Sequence, residues 1–253
     1  MTLSLMPPRA HMRAATTKGT STLRFFIVHA HHEPTSFNGA MTRAASEELT
    51  ATGHEVVVSD LYAMGFDPVS DRRNFKTVAN PERLRQQTEE AYASEHDGFA
   101  PELKAEMEKL AWCDVLILQF PLWWLGLPAI LKGWVDRVLA VGPAYGGGRH
   151  FEKGVFRGKR AICALTVGGS ETTYSSHGMY APIETVLYPI NHGILGFVGF
   201  TVLDPFAVYA PVRLSDEERR QYLARYRERV LAIAGDASAT TAMRPVRPST
   251  SSG

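Results

Sequence analysis

Leu23–Ala30 reads LRFFIVHA, an apolar run closed on both sides by polar residues. A run of that length and content is what a parallel strand covered on both faces requires. Helix and strand signals alternate downstream of it. Phe37–Thr52 spaces its apolar residues as a helix does and stops at Gly53, a residue suited to close a helix in the left-handed conformation. His54–Ser59, HEVVVS, is short and β-branched and reads as a second strand. Asp114–Phe120 (DVLILQF), Ala161–Thr166 (AICALT) and Thr201–Val208 read as the third, fourth and fifth. Helical spacing covers Pro101–Ala111, Pro128–Ala140, Ala181–Ile190 and Ser215–Ala234. The last of these opens on Ser215 with Glu218 three residues on, a capping box.

Strands alternating with helices imply one parallel sheet, right-handed crossovers and helices on both faces. Five strands in this sequence suit an α/β, flavodoxin-like arrangement of spatial order 2-1-3-4-5. The charged stretch Asp67–Ala100 is too long for a tight connection and is expected to form a surface excursion.

The chain has 253 residues, 45% of them hydrophobic, which fits one domain with a large core. That domain is expected over residues 21–235. Residues 1–20 read as a disordered N-terminal arm without a secretory signal, and the Ser-, Thr- and Pro-rich residues 236–253 as a disordered tail. A formal net charge of +1 gives no basic excess for nucleic acid. Absence of a long uncharged apolar run argues against membrane insertion. Cys113 and Cys163 lie in apolar surroundings, read as buried reduced thiols of a cytoplasmic protein.

Open parallel sheets bind ligands beyond the carboxyl ends of their strands, where strand order reverses. The loops there are His31–Asn38 (HHEPTSFN), Pro121–Gly126 (PLWWLG) and Thr166–Tyr174 (TVGGSETTY). The first gathers hydroxyls and free N–H groups at a helix start, a seat for a pyrophosphate, although plain N-capping explains Thr35 and Ser36 as well. His31 and His32 lack a carboxylate or Cys partner at ligand spacing, so no metal site is expected. In the second loop, Trp123 and Trp124 either cover core or line a flat aromatic ligand. In the third, Gly168 and Gly169 form a simple turn or let backbone approach a ligand, and Tyr174 offers a hydroxyl. A phosphatase of this topology would need Cys and Arg in the first loop, and a phosphoreceiver domain an acidic cluster; the loop offers only Glu33.

At these loops the chain resembles the NAD(P)H:quinone reductases, the DT-diaphorase family of FAD flavoproteins. The matching stretches are AHHEPTSFNGAM, SDLYAMGFDPV, QFPLWWLGLPAILKGWVDRVL, TVGGSETTYS and GILGFVGF, within about Leu23 to Ala234. The resemblance implies FAD, with FMN the lesser alternative, and NAD(P)H as co-substrate. By it, His31, Thr35, Ser36, Phe37 and Asn38 bind the diphosphate and ribityl region. Pro121, Leu122, Trp123, Trp124 and Leu125 hold the isoalloxazine edge. Thr166, Val167, Gly168, Gly169 and Tyr174 close on the ring's other side, and Arg219 lies near the adenosine end. The catalytic set implied is Gly168, Gly169, Tyr174 and Tyr180. The pocket for a quinone or another electrophilic acceptor is implied at a homodimer interface, from Trp124, Tyr145, Gly147, Tyr180, Phe197 and Arg213.

Several positions depart from the family pattern: a Gln of the vertebrate motif is Trp123, the aromatic pair after it becomes Trp124-Leu125, and three more lie at the relay and pocket positions. The relay histidine six residues after the loop tyrosine is Tyr180, a second pocket tyrosine is Gly147, and a pocket histidine is Arg213. Histidine titrates at about 6.5 and tyrosine at about 10, so Tyr180 is a poorer proton source at pH 7. The activity implied is two-electron, ping-pong hydride transfer from NAD(P)H to a quinone. Alternatives are azo- or nitroaromatic reduction at the same flavin, or service as a regulatory subunit of a potassium-efflux transporter.

Overall fold

The structure, a computed structural model, describes residues 22–235; the expected arm over residues 1–20 and tail over residues 236–253 lie outside the described residues. Strands β1 (Arg24–His29), β2 (Glu55–Asp60), β3 (Val115–Pro121) and β4 (Arg160–Val167) form one parallel sheet. Its order is β2-β1-β3-β4-β5, with β5 (Thr201–Val202) and β6 (Phe206–Tyr209) both on β4. This is the flavodoxin-like order that the alternation of elements implies.

The fifth strand expected over Thr201–Val208 is divided. Thr201 and Val202 stand opposite Arg160 and Ala161, whereas Phe206 stands opposite Ala164. Three residues, Leu203–Pro205, therefore face two, a bulge that shifts the register by one. Pro205 has no N–H to give to a ladder, which accounts for a break at this point.

The helices are α1 (Phe37–Ala51), α2 (Gln86–Glu95), α3 (Pro101–Trp112), α4 (Ala129–Val138), the short α5 (Ile183–Val186) and α6 (Tyr188–Ile190), and α7 (Asp216–Gly235). Alternate side chains of the central strands serve opposite faces. Phe25, Ile27, Val115 and Ile117 pack with Met41 and Leu49 of α1 and Tyr226 and Val230 of α7. Phe26, Val28, Leu116, Leu118 and Phe120 pack with Leu103 of α3 and Leu131 and Trp134 of α4. With both faces covered, the strands need no polar alternation, which is why they read as continuous apolar runs.

Two segments differ from the sequence-based expectation. Ala181–Ile190 is not one helix but α5 and α6, followed by a π-helical turn over Asn191–Gly196. Pro182 and Pro189 each lack the N–H that a continuous helix would use. The excursion Asp67–Ala100 contains a 3₁₀ turn at Arg72–Asn74, a bridge between Phe75 and Phe99, and all of α2. Among the described residues, no helix is long and apolar enough to cross a membrane.

Candidate active site

Strand order reverses between β1 and β3, so the loops leaving β1, β3 and β4 meet beyond the sheet's carboxyl edge. The first loop is held by its own hydrogen bonds. Glu33 accepts from the Thr35 N–H at 2.8 Å and the Thr35 hydroxyl at 2.6 Å, which holds its carboxyl below the ordinary range. His31 Nδ1 accepts from the Glu33 N–H at 3.0 Å. Burial, ahead of the neighbouring His32, lowers the His31 pKa and keeps this ring neutral at pH 7.

Ser36 caps α1, accepting from the Gly39 N–H at 3.1 Å. The N–H groups of Phe37 and Asn38 have no acceptor among the described residues. They point the positive end of α1 at the cleft. Gly39 lets this loop lie close on the helix, since a Cβ there would stand 2.4 Å from the Pro34 carbonyl oxygen.

In the second loop, Trp123 and Gly126 exchange N–H···O bonds of 3.2 and 3.0 Å across a tight turn. Trp124 and Leu125, the central residues, have φ of 53° and 58°. Both lie in the left-handed region, costly for large side chains. Trp124 is fully exposed and Leu125 is 43% exposed. Trp123 instead turns back against His32 (centroids 5.7 Å apart) and His31 (6.1 Å).

The third loop begins on a buried chain of polar side chains. Tyr226 Oη donates to Gln119 Oε1 (3.3 Å), Gln119 Nε2 to Asn38 Oδ1 (2.9 Å), and Asn38 Nδ2 to Thr166 Oγ1 (2.8 Å). A Cβ on Gly168 would meet open space, whereas one on Gly169 would stand 3.0 Å from the Tyr174 ring. Tyr174 is 8% exposed, its ring 5.2 Å from Tyr180 and 6.1 Å from Tyr209. Burial, then Tyr180, raises the Tyr174 pKa, so its hydroxyl stays protonated near neutrality. Burial, with Glu171 and Glu184 adding to it, pushes Tyr209 up to about 12.

These loops enclose a cleft of about 650 Å³. Of the residues singled out from the sequence, His31, Thr35, Ser36, Phe37, Asn38, Pro121, Leu122, Trp123, Thr166, Val167, Gly168 and Arg219 line it. Ala40, Pro211 and Val212 line it too and were not foreseen. Arg219, on α7, is steadied by the Pro211 carbonyl at 3.2 Å and Asp216 at 2.8 Å. Trp124, Leu125, Gly169, Tyr174 and Tyr180 belong to the same loops but are not among its lining residues. Arg213 ends an exposed 3₁₀ turn and lines neither this cleft nor the next. Tyr209 was also unforeseen; its only sequence signal is its place at the carboxyl end of the fifth strand.

Tyr145 and Phe197 lie elsewhere. Their rings meet edge to face at 5.7 Å and line a second cavity of about 430 Å³ with Gln86, Gln87 and Glu90 of α2 and Val135 and Asp136 of α4. Gly147 sits in the same loop as Tyr145, exposed, at φ 61°. Within one chain, the residues assigned to the acceptor pocket thus fall into two groups.

A family model described as a flavodoxin-like fold matches residues 24–230. Ribosyldihydronicotinamide dehydrogenase-like protein traD of Penicillium crustosum is 44% identical over 204 residues, covering 78% of this chain and 76% of that one. NAD(P)H dehydrogenase [quinone] 1 of Cavia porcellus is 42% identical over 208 residues, covering 82% and 76%. The crystal structure of a provisionally named quinone reductase of Klebsiella pneumoniae superposes with a TM-score of 0.81 at 38% identity, over 84% of this chain and 85% of that one.

Proposed function

Because the chain belongs to the NAD(P)H:quinone reductase family of flavodoxin-like proteins, we propose that it is a flavin-dependent NAD(P)H:quinone oxidoreductase. The observation that carries this reading is the cleft at the strand-order reversal. Its lining offers the free N–H groups of Phe37 and Asn38 with Arg219, and also Trp123, Thr166 and Gly168. The first set suits a diphosphate at a helix start. The second suits a flat heterocycle with polar edges. FAD is the proposed flavin, since a dinucleotide would use the Arg219 region as well as the ring site.

A bound flavin would supply the two-electron chemistry between NAD(P)H and the quinone, for which ping-pong order is proposed. The chain's own part is position and electrostatics. Phe37 and Asn38 N–H groups and Arg219 hold negative charge. Backbone at Gly168, which lines the cleft, and at Gly169 and the protonated Tyr174 hydroxyl, which belong to the same loop, would be the donors for charge that develops on reduction. Tyr180 stands beside Tyr174, at the position where the family pattern has its relay histidine.

We assign the acceptor site to a homodimer. Tyr145 and Phe197 are apart from the cleft in one chain, while Trp124 and Leu125 stand exposed beside it. A second copy that brings the aromatic pair over the cleft would complete one site and cover these side chains. The test is to purify the protein, release its yellow cofactor by heat and identify it by mass. NAD(P)H oxidation should then give parallel double-reciprocal lines with a quinone as acceptor. A colourless protein that takes up neither FAD nor FMN refutes the proposal.

A further inference from the structure

The four-residue chain from Tyr226 to the cleft has a direction. Gln119 and Tyr226 are fully buried, Asn38 is 2% exposed and Thr166 7%. Each side chain donates to the next, from Tyr226 outward: 3.3 Å to Gln119, 2.9 Å to Asn38 and 2.8 Å to Thr166. The alternative has both amides turned over, with Thr166 donating inward. Tyr226 Oη would then accept from Gln119, and its own hydrogen would have no acceptor among the described residues. Gln119 would also turn its carbonyl oxygen toward Met41 Sδ, which now stands 3.6 Å from Nε2 and accepts weakly. An unpaired hydroxyl in the core is costly, so the outward direction is the stable one.

At the outer end, Thr166 Oγ1 has spent one lone pair on Asn38, and its own hydrogen has no protein acceptor among the described residues. Thr166 lines the cleft. We infer that Tyr226, three hydrogen bonds from the cleft, is a positioning residue that makes Thr166 a hydrogen-bond donor to the bound ligand. The site therefore selects at this point a lone-pair acceptor, a carbonyl oxygen or an unprotonated ring nitrogen, over an N–H. This deepens the flavin reading and rests on it. Burial raises the Tyr226 pKa, so the hydroxyl that starts the chain keeps its proton across the working pH range. Its ring packs on Phe206, 4.8 Å away, and phenylalanine would preserve that contact.

The test is a double-mutant cycle on the full-length protein, read by flavin dissociation (fluorescence on dilution, FAD as the probe) and by the midpoint potential of the bound flavin. Thr166→Val should weaken FAD binding about ten-fold, the loss of one directed hydrogen bond. It should also lower the potential, because a donor favours the more electron-rich reduced state. Tyr226→Phe should weaken binding in the same direction, about three-fold or more, because the amides are then free to turn over. Thr166→Ser keeps the hydroxyl, and should keep both the affinity and the sensitivity to Tyr226→Phe. In the Thr166→Val background, Tyr226→Phe should cause no further loss.

Additive losses overturn the inference, since Tyr226 would then act on packing rather than through Thr166. So does a Thr166→Val protein that binds FAD as wild type does. A wild-type protein that binds no flavin is a different failure and strikes the functional proposal itself.

Discussion

Removing Glu90 should loosen the loop that carries Tyr145 without touching the proposed flavin cleft. Val141–Arg149 contains Gly142, Gly146, Gly147 and Gly148, all at positive φ. Such a loop has much conformational entropy to lose, and side chains must hold it. Glu90 Oε2 accepts from the Val141 N–H at 2.8 Å, and Gln87 Nε2 reaches the Tyr145 hydroxyl at 3.4 Å. Arg149 donates to the carbonyls of Gly142 at 2.8 Å and Gly146 at 3.1 Å. Glu90→Ala removes a hydrogen bond of the charged class, worth about 1.5–3 kcal/mol. Part returns, because burial raises the Glu90 pKa and so disfavours the charged form that is removed. A net loss of about 1–2 kcal/mol corresponds to a fall in melting temperature of roughly 2–8 °C for a domain of this size.

On the proposed reading, steady-state kinetics of the Glu90→Ala protein should show KM for the quinone raised about ten-fold, equivalent to ~1.4 kcal/mol, with flavin content unchanged. Glu90→Gln leaves an oxygen for the Val141 N–H and should restore KM. The pH dependence has a definite sign. A carboxyl whose folded pKa is raised contributes stability below its unfolded value, about 4.3, and loses it as pH rises through the folded one. Glu90→Gln should therefore gain stability relative to wild type as pH rises from about 4 through that raised value. If Glu90→Ala alters neither melting temperature nor KM, or strips the flavin, the assignment of Glu90 as the loop's anchor is wrong.

Gly39→Ala places a methyl 2.4 Å from the Pro34 carbonyl oxygen. It should cost about 1–3 kcal/mol and reduce FAD affinity at least ten-fold, measured by calorimetry, as the first loop is pushed off α1. Glu106 is fully buried and accepts from Trp134 Nε1 at 2.9 Å, Ser59 Oγ at 3.0 Å and Lys109 Nζ at 2.5 Å. Glu106→Ala leaves the buried Trp134 and Ser59 donors unmatched and Lys109 without its carboxylate, and should cost about 3–5 kcal/mol in urea denaturation, with turnover per folded molecule unchanged. The Arg24 side chain, bonded to Asp114 at 2.8 and 3.1 Å, holds that carboxyl below its ordinary value. The stability this gives is present above about pH 4 and lost as pH falls through the depressed value. The Asp114→Asn deficit in melting temperature should accordingly be full at pH 7 and close in acid.

The sheet was legible because each central strand is covered on both faces, and a local apolar run then suffices to identify it. The cleft was legible because topology places three contiguous loops together, so residues far apart in the chain are read from their position after a strand. Helix α2 was not legible. Its buried residues are Glu89, Glu90 and Ala93, and no apolar stripe marks it. Glu89 is satisfied by the N–H groups of Ala79 and Asn80, and Glu90 by that of Val141. These partners come from distant loops, and periodicity carries no information about them. Pro211, Val212 and Tyr209 likewise reach the site through the register of β6 on β4, which depends on the bulge at Leu203–Pro205.

The departures from the family pattern fall unevenly over this geometry. The proposed diphosphate seat would depend on backbone N–H groups, Ser36 and Gly39, and the proposed ring seat on the directed chain that ends at Thr166. Both are built from α1, β3, β4 and α7, whose side chains are fixed by core packing. Tyr180, Gly147 and Arg213 are exposed residues on connecting segments. Changes there cost little in folding, because surface loops tolerate substitution. Trp124 and Leu125 extend the contrast. Two left-handed, exposed apolar residues cost about 1–3 kcal/mol each in backbone strain, and the single chain returns nothing for it. On the proposed reading, a ligand and a second copy that cover them would offset that cost and complete the acceptor side of the site. On the proposed reading, binding the flavin and choosing the acceptor are thus separable: one would be built into the core, the other would sit on its loops.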